Sequence, residues 1–310
     1  MSIMGEIINF LSSDLRTATP IMICGLGLVF SARSGVVNIG AEGMMLTGAL
    51  MGVVGSYFFG NVWMGVLTAM VSALLMALVF AYFTIHVKAD QTVVGIAINT
   101  LGLGITTTLS RVIFGLNTAR PKIDSFGLLK VPLLSKIPIL GSVLFNQTLP
   151  VYLILLFVPV ANFVMFKTNL GLKIRSVGEN PKACDTVGIN VLRVRYGAIL
   201  FSGLMAGFAG AFVSLGNLSF FAENMVAGRG FMAVAAVVFG NYSPVGVMLA
   251  SLVFGAGEAV MFRLQAAGTN IPHNLLLMVP YILTVLVLCG AVGKNRSEGP
   301  AATGQPYSKE

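Results

Sequence analysis

The sequence predicts an all-α polytopic membrane protein, and three observations carry that reading. Hydrophobic residues make up 56% of the 310-residue chain and charged residues only 10%, whereas a soluble domain covers itself with about 25% charged residues. Several runs reach the roughly 20 apolar residues that cross a bilayer as a helix. Those runs are continuous, as over 71–83 and 275–290. Barrel strands would alternate over about ten positions, and in lipid a continuous run satisfies its backbone only as a helix.

In chain order the candidate spans are 16–31, 38–59, 62–84, 93–113, 149–166, 196–217, 229–241, 246–262 and 274–292, about eight or nine transmembrane or re-entrant helices in one domain over 1–292. The seventh is too short to cross alone, at ~1.5 Å per residue against ~30 Å of hydrocarbon, so it reads as a half-helix or re-entrant segment. No basic start is followed by a short apolar region and a cleavage site, so the first apolar helix is expected to act as its own insertion signal.

The net charge of +8 sits between the spans rather than in a basic stripe interleaved with aromatics, which excludes a nucleic-acid partner and makes the cations topology signals. Segment 167–195 carries Lys167, Lys173, Arg175, Lys182, Arg193 and Arg195 against Glu179 and Asp185, and is expected in the cytoplasm. Counting crossings then puts the N-terminus and loop 114–148 outside, although that loop holds Arg120, Lys122, Lys130 and Lys136. The loop is rich in proline and is expected to pack over the outer mouth. The tail 293–310 is polar and rich in Gly, Pro and Ser, and is expected to be disordered. Cys24, Cys184 and Cys289 make no disulfide framework.

An internal repeat is visible. Glu42-Gly43-Met44-Met45 opens a span that reaches Phe59-Gly60-Asn61, with Gly65-Val66 following; Arg229-Gly230-Phe231-Met232 opens one that reaches Phe239-Gly240-Asn241, with Gly246-Val247 following. The first copy starts inside and the second outside, as an inverted-topology repeat requires, and such repeats place binding sites near mid-membrane. The alternative is coincidence, since Gly and Phe are common in membrane helices.

Polar groups beside apolar spans mark a pathway or a buried partner. Asn38 and Glu42 precede or open the second span, where capping is an alternative role. Asn99 lies mid-span, where a substrate or interhelix hydrogen bond is expected. Arg229 stands at the wrong end of its helix for a cation, so a partner such as Glu223 or Glu258 is expected, with Arg263 a further neighbour for Glu258. Phe231 and Phe220 are the candidates for stacking on a ring, against the commoner lipid-facing role. Asn241 ends the second repeat copy. The pairs Gly203/Gly207 and Gly48/Gly52 permit close helix contacts. His86 and His273 stand apart from any acid or cysteine cluster, so no catalytic or metal constellation is present, and no Gly-rich loop ends in Gly-Lys-Ser or Gly-Lys-Thr.

The most informative stretch is GLKIRSVGENPKACDTVGIN, residues 171–190. Asn180 is placed to cap a short helix opened by Pro181, over about 181–187, and Gly178 and Gly188 would turn the chain on either side. The alternative is a plain solvated loop. The pattern Gly171, Arg175, Gly178-Glu179-Asn180-Pro181, Ala183 and Gly188-Ile189-Asn190 resembles the coupling segment of ABC importer permeases for ribose, branched-chain amino acids and nucleosides. Phe201-Ser202-Gly203-Leu204-Met205-Ala206-Gly207 also fits that family. Arg33-Ser34-Gly35-Val36-Val37-Asn38-Ile39-Gly40-Ala41-Glu42-Gly43, Gly95 to Leu101 and Gly228 to Asn241 are similar to its nucleoside branch. Cys184 departs from the small non-thiol residue expected there.

The resemblance implies a multi-pass permease of the bacterial inner membrane that is not an enzyme and binds no cofactor. ATP and Mg would be used by a partner ATP-binding subunit, which docks on the coupling segment. A second permease chain, commonly different from the first, would complete the pathway, and an extracytoplasmic binding protein or lipoprotein would deliver the solute. On that reading Asn38, Glu42, Asn99, Arg229, Phe231, Asn241 and Glu258 are the pathway candidates. The rivals are a secondary transporter using Glu42 and Glu258 as ion sites, a channel or structural subunit, and an ABC permease for ribose or branched-chain amino acids.

Overall fold

The computed structural model describes residues 3–115, 123–130, 143–267 and 299–308, with isolated positions 275, 278, 282 and 285; the ninth span over 274–292 lies largely outside the described residues. The helices are α1 (Ile3–Arg33), α2 (Ala41–Phe59), α3 (Val62–Ala81, extended by a π-turn Tyr82–His86), α4 (Gln91–Phe114), α5 (Leu149–Lys167), α6 (Asn169–Glu179), α7 (Pro181–Thr186), α8 (Val191–Ala211, extended by a π-turn Phe212–Leu218), α9 (Arg229–Phe239) and α10 (Pro244–Ala266). Among the described residues six helices are long and apolar enough to cross a membrane: α1, α3, α4, α5, α8 and α10. The protein is a polytopic, all-α membrane protein.

Its core is α2. Residues Ala41–Leu50 are all buried, and the helix is walled by α3, α4 and α8. Close approach is bought with glycine: a Cβ on Gly48 would stand 2.7 Å from the Gly207 backbone, so both predicted Gly pairs act in packing. In water α1 would be an unlikely 31-residue helix, yet its central and C-terminal part, residues 18–32, is almost wholly buried. The helix begins well before residue 16 because 3–15 continues it as a part-exposed, more polar extension.

The ends sort into two faces. Arg33, His86, Lys167, the α6–α7 segment and the start of α8 lie together, tied by the His86 Nδ1 to Tyr196 hydroxyl contact at 2.6 Å. At the opposite end Arg111 pairs with Glu223 at 2.9 Å, and Arg16 donates to Gln147 at 2.8 Å. The described part of loop 114–148 packs at that far end. Ile123 is buried against Val53, Val66 and Leu215, and a short antiparallel ladder pairs β1 (Leu128–Lys130) with β2 (Asn146–Thr148).

Two segments break the helical pattern inside the molecule. After α1 the chain leaves Arg33 at the cationic face and climbs in non-helical form over 34–40 to the start of α2. After α8 it reaches Glu223 at the far end and descends over 219–228 to the start of α9, which then runs back to the cationic face, where Asn241 and Tyr242 meet Arg33. One break enters from each side. The helices that follow both breaks point their N-termini toward one junction.

Of the tail expected to be disordered over 293–310, the described residues are 299–308. Residues 299–308 lie on the cationic face, with Ala302 and Tyr307 buried. Polar composition favours a solvated chain, but backbone groups of the helix corners beneath supply hydrogen-bond partners that composition does not reveal.

Candidate functional site

The half-helix junction is built from the groups that satisfy two interrupted backbones. Buried backbone polar groups in lipid need internal partners, and over 34–40 side chains of α1 and α4 supply them. Ser31 Oγ donates to the Val36 carbonyl at 2.7 Å, and the Val37 N–H donates to Gln91 Oε1 at 2.8 Å. Asn99 does two jobs: its Nδ2 donates to the Ile39 carbonyl at 3.0 Å and its Oδ1 accepts the Gly43 N–H at 2.8 Å. It therefore caps α2 from a neighbouring helix. Gln91 and Asn99 lie eight residues apart on α4, so the α2 N-terminus stands ~12 Å in from the level of Gln91.

Glu42 caps the other half-helix. Its Oε1 accepts the Gly228 N–H at 2.8 Å and its Oε2 the Gly230 N–H at 2.7 Å. Each helix N-terminus carries about half a positive charge, so a carboxylate between the ends of α2 and α9 is held by both. Arg229, on the next residue, turns its guanidinium to Glu258, with Nη2–Oε2 at 3.1 Å, and donates to the Met225 carbonyl at 3.1 Å. The side chains of this pair are 13% and 6% exposed. Of the partners expected from sequence, Glu258 is Arg229's; Glu223 takes Arg111 instead, and Arg263 donates to the Glu6 carbonyl.

Asn38 donates from Nδ2 to Ser202 Oγ at 2.9 Å, and its Oδ1 is buried without a protein partner. It lines a cavity of about 40 Å³ with Leu28, Val37, Val234 and Tyr242, room for water but far below the ~300 Å³ of a small-solute pocket. Asn38, Glu42, Asn99, Arg229 and Glu258 are thus brought together at one junction. Phe231 is 48% exposed and aims away from the core. Asn241 lies at the other end of α9, ~16 Å along the helix, and belongs to the cationic face.

The second site is the 167–195 segment. Thr168 Oγ1 accepts the Gly171 N–H at 3.3 Å to cap α6, and Asn180 Oδ1 accepts the Ala183 N–H at 3.1 Å to cap α7. Pro181 opens α7, and Gly188 follows it with φ +83°. Gly178 departs from the expected turn. It is helical in the last turn of α6, and a Cβ there would collide with the Arg33 carbonyl oxygen; close approach, not φ, demands glycine. Arg175 and Arg33 both stack on Phe166, at 5.2 and 5.9 Å from the ring centroid. Around this frame Glu179, Ala183, Cys184, Val187 and Ile189 help line an open groove of about 680 Å³. Leu172 and Val187, at the edge of this groove, are 57% and 73% exposed. Cys184 is buried at the floor of this groove.

Residues 10–288 match the family model described as the branched-chain amino acid transport system permease component. The chain belongs to this permease family. Being a permease component, it is one part of a transport system, and it is a multi-pass integral membrane protein rather than an enzyme. Three relatives match over nearly their whole length. The guanosine ABC transporter permease protein NupQ of Bacillus subtilis is 40% identical, covering 98% of this chain and 99% of that protein. The nucleoside ABC transporter permease protein NupC of Lactococcus lactis is 35% identical over 100% and 99%. The putative glucose ABC transporter permease protein TsgC13 of Haloferax volcanii is 34% identical over 97% and 98%.

In this permease several structural roles escaped the sequence. Ser31, Gln91 and Ser202 complete the breaks, but nothing in their local pattern distinguishes them from ordinary helix polar residues. Arg33 joins three elements through Tyr242, Asn241 and Phe166; its place at the end of a long apolar helix looks like an interface cation. Among the described residues no group of three or more His, Cys, Asp or Glu side chains is arranged to hold a metal.

Proposed function

We propose that this permease forms the membrane pathway of an ABC importer for nucleosides. The observation that carries the substrate class is the full-length similarity to permeases named for guanosine and nucleosides, at 40% and 35% identity. The chain also resembles a second permease in each of those organisms more weakly: NupP of Bacillus subtilis at 29% and NupB of Lactococcus lactis at 23%. That pairing supports a heterodimer of two different permease chains, with an ATP-binding subunit below and a substrate-binding protein outside.

In this reading α6–α7 and the exposed Leu172 and Val187 dock on the ATP-binding subunit, with Glu179, Asn180 and Pro181 facing it. Closure of that subunit displaces α6. Because Gly178 packs directly on the Arg33 carbonyl, the displacement passes to the 34–40 break and on to the junction held by Glu42. The junction residues Asn38, Glu42, Asn99, Arg229 and Glu258 frame the pathway rather than contact the solute, since their hydrogen bonds are largely spent inside the chain. Phe231 is the member free to meet a solute or a second chain.

Uptake of labelled guanosine, uridine, ribose, glucose and leucine tests the reading, in cells with and without this chain and with ATP depleted or the ion gradient collapsed. Gene-dependent nucleoside uptake that needs ATP and survives gradient collapse is expected. Uptake that stops with the gradient while ATP is held would make the protein a secondary transporter; sugar or leucine uptake would keep the architecture and change the substrate.

A further inference from the structure

The 299–308 segment crosses the cationic face and touches every corner through which coupling would pass. Gly299 lies against the Tyr242 hydroxyl at the α9–α10 corner. The Ala302 N–H donates to the Gly178 carbonyl at 2.9 Å, and the Gly304 N–H donates to the Gly35 carbonyl at 3.1 Å. The Ala301 N–H donates to Glu179 Oε2 at 3.3 Å. Further along, the Gln305 carbonyl accepts from Arg195 Nη1 at 3.0 Å. The Tyr307 ring then closes a cluster with Val177, Cys184 and Val191, which joins α6, α7 and α8.

Two details set this apart from a terminus resting on a surface. Two backbone-to-backbone hydrogen bonds from the tail run to Gly178 and Gly35, on either side of the contact where α6 meets the 34–40 break, so the tail staples that contact from outside. Arg195 is 3% exposed, and among the described residues the Gln305 carbonyl is the hydrogen-bond acceptor it reaches, while its Nε and Nη2 have none. A buried cation held by one carbonyl depends on the segment that supplies it.

We propose that residues 300–307 are a positioning strap that locks the end of α6 to the 34–40 break, so that the coupling helix and the half-helix junction move as one body. The strap rests on the coupling reading given above. It adds no contact with solute or nucleotide; it sets how much of the ATP-driven displacement reaches the junction. Without it α6 can shift while the junction stays in place, and hydrolysis is then spent without transport.

The test uses the assembled transporter in proteoliposomes, with the ATP-binding subunit, second permease and binding protein present, and guanosine as solute. ATP hydrolysis and guanosine uptake are measured together for the intact chain, a chain ending at Gly299, Tyr307→Ala, Tyr307→Phe and the control Glu179→Arg. Truncation and Tyr307→Ala are expected to lower guanosine taken up per ATP hydrolysed by about fivefold or more, the lower end of a measurable coupling between sites. Tyr307→Phe keeps the ring and should stay near the intact ratio. Adding Arg195→Lys to the truncated chain should cause little further loss, because both changes remove one interaction. An uptake-to-hydrolysis ratio within about twofold of the intact chain for both truncation and Tyr307→Ala would overturn the strap. Tyr307→Ala carries the test by itself should the truncated chain fail to assemble. If Glu179→Arg also leaves the ratio unchanged, the coupling reading itself has failed; if it uncouples while the tail variants do not, only the strap has.

Discussion

At the scale of single residues the junction is decided by who satisfies whom. Glu42 accepts two N–H groups from α9, and Asn99 accepts one from α2 while donating to the 34–40 break. A buried donor left without its acceptor costs about 1–3 kcal/mol. Glu42→Leu and Asn99→Leu should therefore lower the thermal midpoint of the purified protein in detergent. Where folded chain survives, the KM for uptake should stay near the original, since neither side chain is free to bind solute; a changed KM with an unchanged midpoint would return Asn99 to the substrate contacts. The Arg229–Glu258 pair makes a second case. Removing one partner of a buried pair costs about 3–5 kcal/mol, while replacing both by apolar residues is often close to neutral. Arg229→Met and Glu258→Leu should each destabilise strongly, and the double variant should recover most of the loss in a thermal melt. An unrecovered double variant would mean the charges act beyond each other, through the loop carbonyls that Arg229 also holds.

At the scale of elements, the segment proposed to couple to the ATP-binding subunit is two capped helices joined by a tight corner. Asn180→Ala removes the α7 cap and should cost about 1 kcal/mol of local stability, read as faster amide exchange over 181–187. Gly178→Ala is harsher, since its methyl meets the Arg33 carbonyl and must push α6 off the break. It should leave the chain in the membrane while lowering uptake relative to ATP hydrolysis, and normal transport in that variant would remove the contact from the coupling route. The cap at Asn180, the Pro181 start and the Gly188 turn were legible because each is a local backbone requirement met within four residues. Gly178 was misread as a turn for the opposite reason. Its constraint comes from Arg33, 145 positions away, and a glycine required by close approach looks the same in sequence as one required by φ.

At the scale of the molecule, the cations on the α6–α7 face argue for one orientation, with that face inside. Helix α1 runs toward that face, so its N-terminus and the Trp63 end of α3 lie on the other side. Single cysteines at Val187 and Trp63, in a chain whose Cys24, Cys184 and Cys289 have been replaced, should be labelled by an impermeant maleimide from opposite sides of sealed vesicles. Labelling of Val187→Cys from the outside of intact cells would reverse the topology. The six long apolar helices were legible from hydropathy alone, because bilayer thickness imposes its length on every crossing.

By itself the sequence determined the solvent and the class, and it placed the Asn180 cap and the Gly188 turn within 168–190. Those follow from properties each stretch carries within itself: apolar length, capping residues and charge between spans. Only the tertiary structure decided that the two half-helices meet N-terminus to N-terminus over Glu42, that Asn99 caps a helix it does not belong to, and that the tail is seated on Gly35, Gly178 and Arg195. A hydrogen-bond donor left over at a helix end can be answered from any distance along the chain, and nothing local to the donor says where the acceptor will come from.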